Sequence, residues 1–183
     1  MYKTNISHKL PEQLKYDPWD ARQEIIGVKL QLHCSRYWML SEWECQNLSL
    51  PFWRLYHSKT GGSCVHYRGK TTELTSDKLV LIPPYTAFSS NINTSESMVE
   101  SIKGIRINTE QQVEQYAALG MKDQFFVHFN LDYPYDRAEQ GVYCCRLNDY
   151  WKQELYAIEA ERLLHPNEIG FLSSMRLNGL IIY

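Results

Sequence analysis

"LVLIPPYTAFSS", residues 79–90, runs four aliphatic residues into a double proline, then a tyrosine, a threonine and a phenylalanine. The aliphatic run, set off by a turn before it, reads as a strand. Pro83 and Pro84 lack backbone donors, so a hydrogen-bonded ladder stops there. The strand is legible at once. What Phe88 does beyond its end decides how the chain is used.

The flanking sequence has the same β texture. "VKLQLH" alternates apolar and polar residues, with Val28, Leu30 and Leu32 on one face. "NLSLPFWRLYH" is a second extended stretch, its proline suited to an edge or bend. "KTGG" (59–62) is a turn, and "SCVHYRGKTTEL" reads as strand, tight turn at Arg68-Gly69-Lys70, and strand. "SDK" turns the chain into the opening stretch. The Ser- and Asn-rich residues 89–101 read as a loop. Thr109 with Gln112 resembles a capping box and Gly120 a C-cap, so a short helix is expected across 110–119. "QFFVHFNL" returns to strand, and "DYPYD" is a turn.

After Arg146 the texture becomes helical. Asn148 or Asp149 caps "NDYWKQELYAIEAERLL", where Trp151, Leu155, Ile158 and Arg162 fall on one side. "HPN" breaks the pattern. A second helix is expected from an Asn167 cap, antiparallel to the first because the connection is short. It is apolar nearly all round, which requires two partners, the barrel and a second subunit. It ends on "LIIY" without a capping signal, so the expectation is a piece cut before a further domain.

Composition bounds the function. The 183 residues are 44% hydrophobic, enough for a real core, and the net charge of −2 gives no drive toward nucleic acid or anionic membrane. The five cysteines include no C-x-x-C pair, and reduced thiols in a cytoplasmic protein are expected. The polar, proline-broken N-terminus does not read as a signal peptide, and no apolar stretch reaches the roughly 18 residues of a membrane span. Nucleotide-binding and nucleophile-elbow motifs do not occur.

Three segments together, "PFWRLYHSKTGG", "GKTTELTSDKLVLIPPYTAF" and "FFVHFNLDYPYD", resemble the ligand-binding half of AraC-type transcriptional regulators over residues 25–183. The resemblance implies a mainly β fold: a cupin-type double-stranded β-helix (jelly-roll) barrel followed by an α-helical hairpin. It divides the chain into a 1–24 arm, a 25–147 effector-binding barrel and a 148–183 helical hairpin used for dimerisation. It implies that DNA is bound only through a C-terminal domain absent from this chain. The insert at about 89–122 departs from the family's usual short connection.

Many barrels of this kind hold a metal through histidines and a glutamate. In metal cupins the later histidine stands five residues after the strand-ending proline, and that count from Pro83 lands on Phe88. The glutamate position, counted back seven from Gly61, lands on Arg54. "NLSL", where the earlier histidines would fall, has none. No metal and no cofactor are therefore expected, and a metal-dependent isomerase or dioxygenase is the alternative reading. A stand-alone sugar-binding module is a third.

If Arg54 points inward, alternation brings Tyr56 with it, and Phe126 with His128 share the inward face of their strand. Arg54, Tyr56, Phe88, Phe126 and His128 would then line a pocket for a small polar, sugar-like effector. The competing expectation makes Arg54 an exposed strand residue and the aromatics plain core. The faces of His66 and Tyr67 are left open.

Overall fold

A computed structural model describes residues 29–92, 100–133 and 135–182. The 1–24 arm, Val28 and Tyr183 lie outside the described residues. Among the described residues nine strands pair antiparallel in the order β4-β3-β6-β1-β8-β2-β5-β9, and β7 pairs with β1. The sheet curls into a half-barrel, followed by two C-terminal helices.

β1 (Leu30–Leu48) is the spine. Its first half pairs with β8 (Lys122–Leu131), its middle with β7 (Ser101–Arg106) and its end with β6 (Phe88–Ile92). Leu30 and Leu32 pack on one face, as their alternation predicts. The strand runs far beyond "VKLQLH": in "YWMLSEWEC" Met39 and Leu40 are both buried and Ser41 is exposed where the register shifts between Leu40 and Glu42, and this irregularity breaks the alternation. β2 (Trp53–His57) lies between β8 and β5 (Lys78–Ile82), and β9 (Tyr143–Arg146) completes that side.

β3 (Ser63–Tyr67) and β4 (Lys70–Leu74) form the expected hairpin. Arg68 (φ 48°) and Gly69 (φ 76°) are both left-handed, which matches the twist of the strands they join. Beyond β5 the chain reverses at Pro84-Tyr85, where Tyr85 takes φ 59° and donates its N–H to the Leu50 carbonyl at 2.8 Å.

Two corrections concern 89–101. Residues 88–92 and 101–106 are strands, and 93–99 of the expected loop lie outside the described residues. "FSSNI" alternates with Phe88, Ser90 and Ile92 buried, and a serine at the central inward position disguises it as loop. α1 (Glu110–Ala118) follows as expected: Thr109 accepts from the Gln112 amide at 3.3 Å, and the Gln112 side chain accepts from the Asn108 amide at 2.7 Å. Gly120 closes it at φ 85°.

α2 (Asp149–Leu164) starts at the Asn148 cap, whose side chain accepts from the Trp151 amide at 2.9 Å. α3 spans Phe171–Ile182. The pairs Glu154–Arg176 and Glu161–Ser173 place the two helices antiparallel. Asn167 does not cap α3. Its side-chain oxygen accepts from Arg106 at 2.9 Å, and the first helical bond runs instead from the Ser174 amide to the Gly170 carbonyl.

Two cores result. Outside the sheet, Leu55, Phe125, Val127 and Phe129 pack against Leu155, Ile158, Leu177 and Leu180 of the helices. Inside the curl, Tyr56, Phe88, Trp43, Val65, Leu74 and Ile82 form a second core.

Candidate functional site

β2 is covered on both faces, so its alternation sorts side chains between the two cores. Trp53 and Leu55 pack with the outer core, and Tyr56 enters the inner one. Arg54 is fully buried, which removes the exposed-strand alternative for that residue. Across the β2–β8 ladder Arg54 stands opposite His128 and Tyr56 opposite Phe126. Phe88 comes from β6: its ring centroid lies 4.6 Å from the Arg54 guanidinium carbon and 6.3 Å from the Tyr56 ring. The fold thus brings Arg54, Tyr56, Phe88, Phe126 and His128 to one interior.

The electrostatics of this group are unusual. Nε, Nη1 and Nη2 of Arg54 are buried and none has a hydrogen-bond partner. Burial pulls the Arg54 pKa below the ordinary arginine value, although the Tyr56 oxygen eases the charge. Burial also pushes the Tyr56 phenol up, with Arg54 opposing. His128 is held at about 4, by burial first and then by the positive charge of Arg54. Its imidazole is therefore neutral near pH 7. A buried guanidinium resting on a phenyl face gains some cation–π attraction, but an aromatic face is no substitute for acceptors in the plane of its N–H groups.

Next to this group is a cavity of about 230 Å³, lined by Trp38, Trp43, Tyr56, Gln124, Phe126 and His128 among others. The indole Nε1 of Trp38 and the Oε1 of Gln124 are buried on its wall without partners. Alternation places Gln124 on the same face as Phe126 and His128 but does not single it out. Trp38 and Trp43 lie beyond the alternating stretch from which β1 is legible, so pattern alone misses them. It also misses Phe52. Its ring lies 4.9 Å from that of His128 and 5.9 Å from the Arg54 guanidinium carbon. A signal exists there, since 52, 54 and 56 alternate.

Among the described residues no three His, Cys, Asp or Glu side chains gather as a metal set. His66 bridges Thr71 (2.9 Å) and Asn91 (2.8 Å) on the face opposite the buried Val65. Tyr67 shares the Val65 side and donates its hydroxyl to the Gln140 carbonyl at 3.2 Å.

The helix-facing side of β2 carries a different polar arrangement. His57 Nδ1 lies 2.8 Å from Glu159 Oε1, with both side chains fully buried. Lys59 Nζ stands 2.8 Å from the other Glu159 oxygen. Beside them Asp123 accepts from the Ser58 hydroxyl (3.0 Å), the Lys59 amide (2.8 Å) and the Thr60 amide (2.7 Å). It also accepts from the Thr60 hydroxyl (2.5 Å) and the Tyr37 hydroxyl (3.2 Å). Glu159 is on α2 and Asp123 on β8, so the network fixes the first C-terminal helix to the sheet at the end of β2. His57 and Glu159 are 102 positions apart, and no spacing in the sequence signals the pair.

No protein-family model matches the chain, and no curated relative matches it. Solved structures with a similar course are of ToxT from Vibrio cholerae. An apo K231A variant from strain SCE256 has a TM-score of 0.44 at 7% identity over 84% of this chain and 52% of that one. A second ToxT crystal form gives 0.40 at 6% identity over 86% and 54%. The chain spans about half the length of these proteins.

Proposed function

We propose that the chain is the effector-sensing part of an AraC-type transcriptional regulator, a cytoplasmic protein that binds a small molecule without transforming it. The reading rests on the sequence motifs that resemble that family. One observation of the site carries it further: the interior positions where a metal cupin would set its ligands hold Arg54 and Phe88, and their neighbours Tyr56, Phe126 and His128 line an aromatic cavity of about 230 Å³. Such a site sets polar groups among aromatic walls, which suits holding and orienting a small molecule.

β2 is the element that connects recognition to response. Tyr56 meets the ligand on one face. His57, next in the chain, holds Glu159 of α2 on the other. A ligand that favours one setting of β2 therefore biases the helical pair. The helices leave Leu164, Phe171, Leu172, Met175 and Ile182 exposed. We assign this apolar surface to a second copy of the chain, so that effector binding adjusts how two DNA-binding domains are held.

The gene sequence beyond Tyr183 tests the regulator reading. A helix-turn-helix pattern is expected there, and its absence refutes the reading. Sedimentation of the chain tests the dimer. The wild type should sediment as a dimer, and Leu172→Glu with Met175→Glu should return it to monomer. A monomeric wild type refutes the assignment of that surface.

A further inference from the structure

We propose that the effector is an uncharged, flat aromatic molecule of the size of indole, held between Trp38, Trp43 and Phe126 with Ile102 of β7 at the rim. The inference rests on the effector-binding reading and names the ligand class.

The first support is what the cavity wall offers a guest. Among the described residues the wall carries no charged side chain, and Arg54, 0% exposed, is not part of it. Trp38 Nε1 and Gln124 Oε1 are buried out of a guest's reach, and Tyr56 is only 4% exposed. His128 is neutral near pH 7, because burial and then the Arg54 charge hold its pKa at about 4. A sugar would leave most of its hydroxyls unmet here, and each unmet hydroxyl opposes binding. A cation would feel the same Arg54 charge that His128 feels. An anion would be attracted by that charge, but it would lose its water without gaining the hydrogen bonds that offset the loss. An uncharged aromatic guest meets none of these costs.

The second support is size and shape. A void of about 150 Å³ lined by apolar side chains takes up benzene. This cavity is about 230 Å³, which suits a fused pair of rings. Trp38 lies edge-on to Phe126 at 72°, and Trp43 to Tyr56 at 74°. In an edge-on pair one ring keeps its faces free for a third ring. The rim comes from β7. Ile102 stands opposite Trp43 in the β1–β7 ladder, lines the cavity and is still 61% exposed. A guest therefore enters past Ile102, and β7 helps to set the width of the entrance.

The test compares indole with benzoate and arabinose, a charged ring and a sugar of similar size. Each is added at ~2 mM to wild type in thermal melts. Indole should raise the midpoint by about 2–4 °C, and the other two should leave it in place. Leu50, half-buried on the cavity wall in the connection from β1 to β2, is the position at which to fill the space. Leu50→Trp should melt close to wild type and lose the indole response. A second readout needs no variant. In methyl-labelled wild type, indole should shift the Ile102 methyl signal by its ring current and leave that of Ile158, in the outer core, in place. The proposal is overturned if benzoate or arabinose stabilises as well as indole, or if indole leaves the midpoint or the Ile102 methyl unmoved. It is equally overturned if folded Leu50→Trp responds to indole as wild type does. Stabilisation by benzoate or arabinose alone would refute the ligand class and leave the effector-binding reading standing. None of these results bears on a domain beyond Tyr183, so the regulator reading fails separately.

Discussion

The two faces of β2 bury charge in opposite ways. On the helix side His57 meets Glu159, Lys59 meets the same carboxylate, and Asp123 accepts from Ser58, Lys59, Thr60 and Tyr37. On the interior side Arg54 is equally buried and has no hydrogen-bond partner. One short strand thus borders a met charge on one face and an unmet charge on the other. Meeting a buried charge limits its desolvation penalty, and the helix side does so through the His57 and Lys59 contacts of Glu159, although His57 Nε2 makes no hydrogen bond. An unmet charge is a cost to the fold.

The largest expected effect probes the met side. Glu159→Ala leaves His57 and Lys59 facing each other beside a void. It should cost about 3–5 kcal/mol in urea unfolding. A loss below about 1 kcal/mol would mean that the helix-side network is not structural, and the contrast between the faces would break.

The interior side should show itself through pH. His128 has a folded pKa of about 4, below the ordinary value of 6.5. As pH falls, the unfolded chain takes up this proton first. The stability that His128 contributes is therefore fully present above pH 6.5 and is lost as pH falls toward about 4. The loss is on the order of 3 kcal/mol. His128→Gln should flatten this part of the stability–pH curve. An unchanged slope would show that another group is responsible.

Much of this arrangement is legible in the sequence, and the limits have physical causes. Alternation in "FWRLYH" and "QFFVHFN" puts Arg54, Tyr56, Phe126 and His128 on shared faces, because period two survives wherever a strand lies between two different environments. The double proline places the end of β5 and leads to Phe88. β6 is hidden because its inward centre is Ser90, and the later part of β1 because a register shift between Leu40 and Glu42 breaks its alternation. The start of α3 is misplaced because Asn167 is engaged by Arg106, a contact between distant segments. The His57–Glu159 pair is invisible for the same reason. Local pattern reports which face a residue takes, but not which residue of another element it meets there.

The smallest expected effect compares two buried tyrosines, one from each side. Tyr37 donates its hydroxyl to Asp123 at 3.2 Å, and both the phenol's burial and that carboxylate raise its pKa. Tyr37→Phe removes a bond to a charged acceptor and should cost about 1–2 kcal/mol. Tyr56 is as deeply buried, yet the Arg54 nitrogens near it make no hydrogen bond. Tyr56→Phe keeps the ring contacts with Trp43 and Phe88 and should change stability by less than about 1 kcal/mol. Urea unfolding of the two variants side by side measures the difference directly. Equal losses would mean that the interior hydroxyl is structurally engaged like its counterpart, and the interior face would then owe its polar groups to the fold. A loss confined to Tyr37→Phe sharpens the contrast, because the same atom, removed from equally buried rings, would matter only on the side where the chain supplies the partner.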